Sequence, residues 1–247
     1  MIFLLDADQN GIDSIQKRIE AKKVQLIPSG SFVAYNEACK RLAERKPNPG
    51  DRVVLDSFTY MLSTTRGDFK HGSDPTGDVW ADRDKYFGDK QALNAYQAST
   101  NMTMRWLKNL RNVGYNLTVC CHEDEALDET TMTTKRNVKA NPEARDMLLA
   151  SASDVFRLTE ATTDKIVVDP ETGEQRVVYP RGERILLLRR TQDSLAKYHV
   201  DIDLAPKLPD GIIAPTMEKI QTVLGKVPTF LVLYGLPGVG KTTLATS

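Results

Sequence analysis

TFLVLYGLPGVGKTTLATS, residues 229–247, is the stretch that decides how this chain is read. TFLVLY is an apolar run of strand length. GLPGVGKT, Gly235 to Thr242, follows it directly and satisfies G-x-x-x-x-G-K-[ST] in full, and TTLATS then opens a helix. Glycines let successive backbone N–H groups turn inward around an anion, and the first peptide units of a helix add positive potential. The spacing therefore predicts that Gly235, Leu236, Pro237, Gly238, Val239, Gly240, Lys241, Thr242 and Thr243 wrap the phosphates of ATP. Lys241 is expected to reach the β- and γ-phosphates, and the Thr242 hydroxyl to ligate Mg²⁺.

Working outward, apolar runs of strand length recur at IFLL (2–5), VQLI (24–27), RVVL (52–55), LTVCC (117–121), DVFRL (154–158) and RILLL (184–188). Several are continuous rather than alternating, as expected of parallel strands covered on both faces. Helical spacing is clearest over 89–113, where Leu93, Tyr96, Trp106, Leu107 and Leu110 share a face, and it recurs over 10–22 and 33–46. Strands alternating with helices predict a doubly wound, mostly parallel α/β sheet formed as one domain over residues 1–247. IVVDPETGEQRVVY, towards the C-terminal side, reads as a β-hairpin with its turn at DPETG. Residues 64–90, rich in Gly and Asp, and 123–150 break the rhythm and are expected to be long loops.

In open α/β sheets ligands bind beyond the carboxyl ends of the strands. IFLL ends in Asp6 and Asp8, RVVL in Asp56, LTVCC in His122 and Glu123, and TFLVLY in the glycine loop, so these ends are expected to meet around one nucleotide. Asp56 has the form of a carboxylate that holds Mg²⁺, usually through water. Asp8 is the favoured group for orienting or deprotonating an attacking water, with Asp6 as the alternative and a helix cap ahead of 10–22 as the structural reading of Asp8. His122 is placed to sense the γ-phosphate.

The chain carries 33 Lys and Arg against 33 Asp and Glu, so no global positive field is available for nucleic acid and any such contact must be local. Lys135, Arg136 and Lys139 in the 123–150 segment are the residues expected to reach single-stranded DNA. Three cysteines, two of them adjacent, argue against a disulfide framework and for a cytoplasmic protein. No run approaches the ~20 apolar residues of a membrane span.

GLPGVGKTTLATS, FLLDADQNGIDSI, RVVLDSFTYM, LTVCCHEDE and RILLLRRTQDSLAK together resemble the RecA-like ATPases of bacteriophages that accompany single-strand annealing and recombination. The resemblance implies a RecA-like fold, ATPase activity stimulated by single-stranded DNA, homo-oligomers with ATP between subunits, and an annealing protein as partner. It also implies a basic residue acting in trans on a neighbour's nucleotide, for which Lys197 is the choice, with Arg189 and Arg190 behind it. Where the family commonly has Glu on the strand after the loop helix, the matching position here is Asp8.

The order of the parts departs from the family. Placing residues 217–247 ahead of residue 1 restores loop, acid strand, Asp56 strand and His122 strand in sequence, with Met217 as an original start. The chain thus reads as circularly permuted, naturally, by design, or because a gene was opened at an arbitrary point; the competing reading joins a truncated second loop domain to something unrelated. Two other functions stay open: a nucleotide-switched DNA- or protein-binding module with little turnover, and a small-molecule kinase.

Overall fold

The computed structural model describes residues 1–7, 12–71, 94–130, 132–168, 175–191, 194–200 and 203–247. Its strands are β1 (Ile2–Asp6), β2 (Val24–Pro28), β3 (Arg52–Asp56), β4 (Asn116–Asp128), β5 (Thr133–Val138), β6 (Asp154–Glu160), β7 (Lys165–Val168), β8 (Gln175–Tyr179), β9 (Arg184–Leu187), β10 (Gly211–Ile213) and β11 (Phe230–Gly235). Among the described residues seven α-helices accompany them: α1 (Gln16–Glu20), α2 (Phe32–Glu44), α3 (Phe58–His71), α4 (Asn94–Val113), α5 (Pro142–Ser151), α6 (Met217–Leu224) and α7 (Lys241–Ala245). Short 3₁₀ turns at Ile12–Ile15 and Ala205–Lys207 complete the set.

The central sheet runs β10-β9-β6-β11-β4-β3-β1-β2, with β5 extending from β4. From β2 to β6 every neighbour is parallel, whereas β9 and β10 run antiparallel at one edge. This is an α/β fold with a mostly parallel central sheet, compatible with P-loop and Rossmann-like architectures. β11, the last strand in the chain, lies inside the sheet between β4 and β6.

The continuous apolar runs have the cause that parallel burial requires. Phe3, Leu5, Val53, Leu55, Leu117, Val119, Phe230 and Val232 point to one face, under Tyr35 and Cys39 of α2, Met61 of α3, Leu107 of α4 and Leu148 of α5. The alternate residues Leu4, Val54, Cys120, Leu231 and Leu233 point to the other, under Ile15, Ile220 and Leu224 of α6, and Leu244 of α7. Helices therefore cover both faces. Cys39, Cys120 and Cys121 are all buried thiols. Burial pushes the Cys39 thiol up to about 12. It also raises Cys121, with nearby Lys241 opposing and Asp56 reinforcing the shift.

Two expected loops differ. Residues 64–71 belong to α3, which packs through Phe58, Met61, Leu62 and Thr65, a spacing of three, four and seven that buries one helical face; the rest of the segment, 72–90, lies outside the described residues. Residues 123–150 form a ribbon and a helix instead of a loop. β4 continues past the sheet to Asp128 and pairs with β5, from Glu123 opposite Val138 to Asp128 opposite Thr133. This ribbon is polar, so no apolar period announced it. α5 is capped by Asn141, whose side chain accepts from the Ala144 amide at 2.8 Å, with Pro142 at the first helical position. The expected hairpin is present as β7 paired antiparallel with β8, its turn outside the described residues. Among the described residues no helix is long and apolar enough to cross a membrane.

Candidate functional site

β11 delivers the chain to the carboxyl edge of the sheet, where residues 236–240 turn back before α7 begins. The turn needs glycine. Gly238 and Gly240 have φ of 79° and 90°, the left-handed region that β-carbons disfavour. At Gly235 a Cβ would run into the Leu158 carbonyl of β6, so a larger residue would push the loop off its neighbour. Lys241 is 6 % exposed and turns its ammonium onto the loop, donating to the Gly235 and Leu236 carbonyls at 3.1 and 2.8 Å.

The parallel register fixes what faces the loop. Gly235 stands opposite His122, Cys120 opposite Asp56, and Asp56 opposite Asp6. In-register residues of parallel strands point to the same face, so Asp6, Asp56 and His122 share the face on which α7 packs. The Thr242 hydroxyl donates to the Asp56 carboxylate, bridging the loop helix to β3 across the intervening β4. Asp13, Ser14, Asp56, His122, Arg184 and the loop from Pro237 to Thr243 enclose a cleft of about 520 Å³. Arg18 holds α7 from the side, donating to the Thr243 carbonyl at 2.6 Å and the Thr246 hydroxyl at 2.9 Å.

Lys241, Thr242, Asp56 and His122 thus come together, as sequence reasoning expected of strand ends. Asp6 is buried at 3 % exposure beside them, its carbonyl accepting from Ser29. Asp8 lies outside the described residues. Among the described residues no three His, Cys, Asp or Glu side chains cluster as metal ligands. The oxygen pair of Asp56 and Thr242 nevertheless fits a hard cation that takes one carboxylate, a hydroxyl and phosphate oxygens.

Lys197 lies elsewhere. Its backbone pairs with Val155 near the start of β6, and its ammonium donates to the Leu149 and Ala152 carbonyls at 2.9 and 2.8 Å, at the C-terminal end of α5. Arg189 and Arg190 follow the end of β9, which runs opposite to β6, and they share a cleft of about 460 Å³ with Lys197. All three sit toward the sheet edge opposite the glycine loop, so within one chain they are remote from it.

Lys135, Arg136 and Lys139 stand on and just after β5, in a ribbon where a loop was expected. Lys135 and Lys139 are exposed. Arg136 is engaged by Glu125 at 2.8 Å and by Glu123 at 3.5 Å.

Thr59, Arg157 and Arg184, which the sequence reading passed over, tie these parts together with Glu123, a strand end that it named. Thr59 of α3 accepts from the His122 amide at 3.0 Å and donates to the Lys139 carbonyl at 2.8 Å. Glu123, directly after His122, takes a two-pronged bond from Arg157 of β6 at 2.6 and 2.9 Å. Arg184 enters the cleft from β9. Nothing in the local sequence marks Thr59. The charged Glu123 and Arg157, next to or within apolar runs, were the available signal for a buried pair.

Protein-family models, characterised proteins and solved structures yield no match to this chain. The cleft therefore carries the chemistry from which function is read. Its supporting pair has a testable consequence: among the described residues, Arg157→Ala leaves the fully buried Glu123 carboxylate with only the distant arm of Arg136. Removing one partner of a buried pair strands the other charge, so a loss of about 3–5 kcal/mol is expected in denaturant unfolding. An unchanged midpoint would mean water replaces the guanidinium without cost.

Proposed function

We propose that the chain is a Mg²⁺-dependent ATPase of the RecA-like kind, with circularly permuted motif order, that acts as a homo-oligomer on single-stranded DNA in phage recombination or replication. The observation that carries the ATPase reading is the Thr242–Asp56 hydrogen bond inside the glycine-loop cleft. A loop threonine and a strand-end aspartate brought together from opposite ends of the chain form the oxygen set expected for a nucleotide-bound Mg²⁺. Bound there, Mg²⁺ would neutralise charge on the phosphates. Lys241 would turn from its carbonyl partners to the β/γ-phosphates, and loop amides would cradle them. Asp8, or alternatively Asp6, would orient the attacking water, and the backbone of His122, tied through Thr59 to Lys139, would link the cleft to the basic ribbon.

Support for permutation comes from β11, the last strand in the chain, lying inside the sheet between β4 and β6. Read from residue 217 through the chain end and on from residue 1, the loop strand β11 would precede the acid strand β1, the Asp56 strand β3 and the His122 strand β4, the order of the resembled family. The DNA and annealing-partner parts rest on that resemblance, with exposed Lys135 and Lys139 as local support. For Lys197, Arg189 and Arg190, a contribution to a neighbouring subunit's nucleotide is the arrangement their position allows.

One experiment tests the proposal: ATP hydrolysis by the purified chain, with and without single-stranded DNA. Hydrolysis that requires Mg²⁺ and rises with DNA is expected. Tight ATP binding without turnover under either condition would favour a nucleotide-switched binding module.

A further inference from the structure

We propose that Arg184 is a second cationic group of the phosphate cleft, acting within its own chain on the part of the polyphosphate that ATP and ADP share. This rests on the nucleotide reading above. β9 runs antiparallel to β6, so its first residue, Arg184, stands in register with the last, Glu160, at the same edge as the glycine loop. From there the side chain leans across the end of β6. Its Nη1 fills the space beside Gly240 where a Cβ would stand, with Cδ and Cζ each 3.6 Å from that point. Glycine at 240 therefore serves two purposes, a left-handed turn at φ 90° and room for a guanidinium.

Among the described residues the Arg184 guanidinium makes no ion pair or side-chain hydrogen bond, although Glu160 faces it across the ladder and Asp13 and Asp56 share the cleft wall. Lys241 by contrast is bound to two carbonyls. A five-donor cation aimed at a glycine loop matches a phosphate oxygen in charge and geometry.

The side of approach sets which phosphate. β4 and β3, carrying His122 and Asp56, lie on one side of β11, and β6 and β9 lie on the other. The Asp56–Thr242 pair marks the metal and terminal-phosphate end, so Arg184 meets the chain at the end away from the transferred group. A residue there holds ATP and ADP alike and does not act on the bond that breaks.

The test is equilibrium binding of ATP, ADP and AMP to the full chain, together with steady-state hydrolysis, for wild type, Arg184→Gln, Arg184→Lys and Lys241→Ala. Arg184→Gln is expected to weaken ATP and ADP by the same factor, about tenfold, the equivalent of one charge-assisted hydrogen bond. KM should rise with kcat little changed. Arg184→Lys should recover part of the loss, since a point charge remains without the planar fork. The side chain is exposed, so both variants should melt like wild type without nucleotide. Unaltered ATP and ADP binding in Arg184→Gln, beside lost binding in Lys241→Ala, overturns the assignment of Arg184 alone. A fall in kcat with ADP affinity intact overturns it too, placing the residue on the terminal phosphate. Failure of wild type to bind either nucleotide overturns the nucleotide reading itself.

Discussion

Lys241→Ala is expected to weaken ATP binding by about 100-fold or more, because it removes the one ammonium that the loop encloses. The lysine is 6 % exposed and its Nζ lies within 3.1 Å of the Gly235 carbonyl, so the charge is already inside the turn that would surround the phosphates. A point charge in such a confined, partly dehydrated place acts more strongly than one on the surface. The readout is thermal stabilisation. A ligand at about 100 times its Kd raises stability by about 2.7 kcal/mol, so wild type should melt distinctly higher with Mg²⁺-ATP. The variant should show no such rise at the same concentration. Its melting point without nucleotide separates lost affinity from lost fold, since two loop carbonyls lose their donor in the substitution. A variant stabilised by ATP as much as wild type would remove the phosphate-loop assignment.

The parallel strands were legible because burial on both faces keeps them mostly apolar, with few polar residues such as Thr118 and Arg157 within them. IFLL, RVVL and TFLVLY read as strands from composition alone, and each is one, ending within two residues of the predicted end. The glycine loop was legible for a different reason: its φ values near 80–90° exclude most other residues, so its geometry is written into residue type. The union of Asp56 with Thr242 could be expected only through the general rule that strand ends converge. Their separation of 186 positions gives no local signal.

What stayed hidden was polar structure whose stability is non-local. The β4–β5 ribbon is mostly charged and polar, and its pairing comes from the cross-strand ladder and the Glu125–Arg136 pair, not from an apolar stripe. β10 is three residues long and is defined by pairing with β9. Arg184 was concealed for a third reason. It precedes an apolar run in the sequence, yet the reversal of β9 relative to β6 carries it to the loop edge, and strand direction is a property of the whole sheet.

Asp56→Asn should separate the two roles that the Thr242 contact leaves combined, a structural brace for α7 and a ligand for Mg²⁺. Asparagine keeps the shape and an oxygen that can accept from the Thr242 hydroxyl, so the brace survives while the charge does not. Turnover is expected to fall by about 100-fold or more, in line with the several kcal/mol that metal-assisted stabilisation of phosphoryl charge supplies. The Mg²⁺ concentration for half-maximal activity should rise with it. Metal-free ATP affinity should move the opposite way or not at all. In wild type the buried Asp56 carboxylate repels the phosphates unless a cation lies between, and the substitution removes that repulsion. Calorimetric titration of ATP with Mg²⁺ and with chelator, alongside Mg²⁺-dependent hydrolysis, reads all three quantities. If affinity drops equally with and without metal, Asp56 acts by holding Thr242 and α7 in place. The cation would then need other ligands, and among the described residues Asp6 is the next carboxylate on that face, one strand away in register.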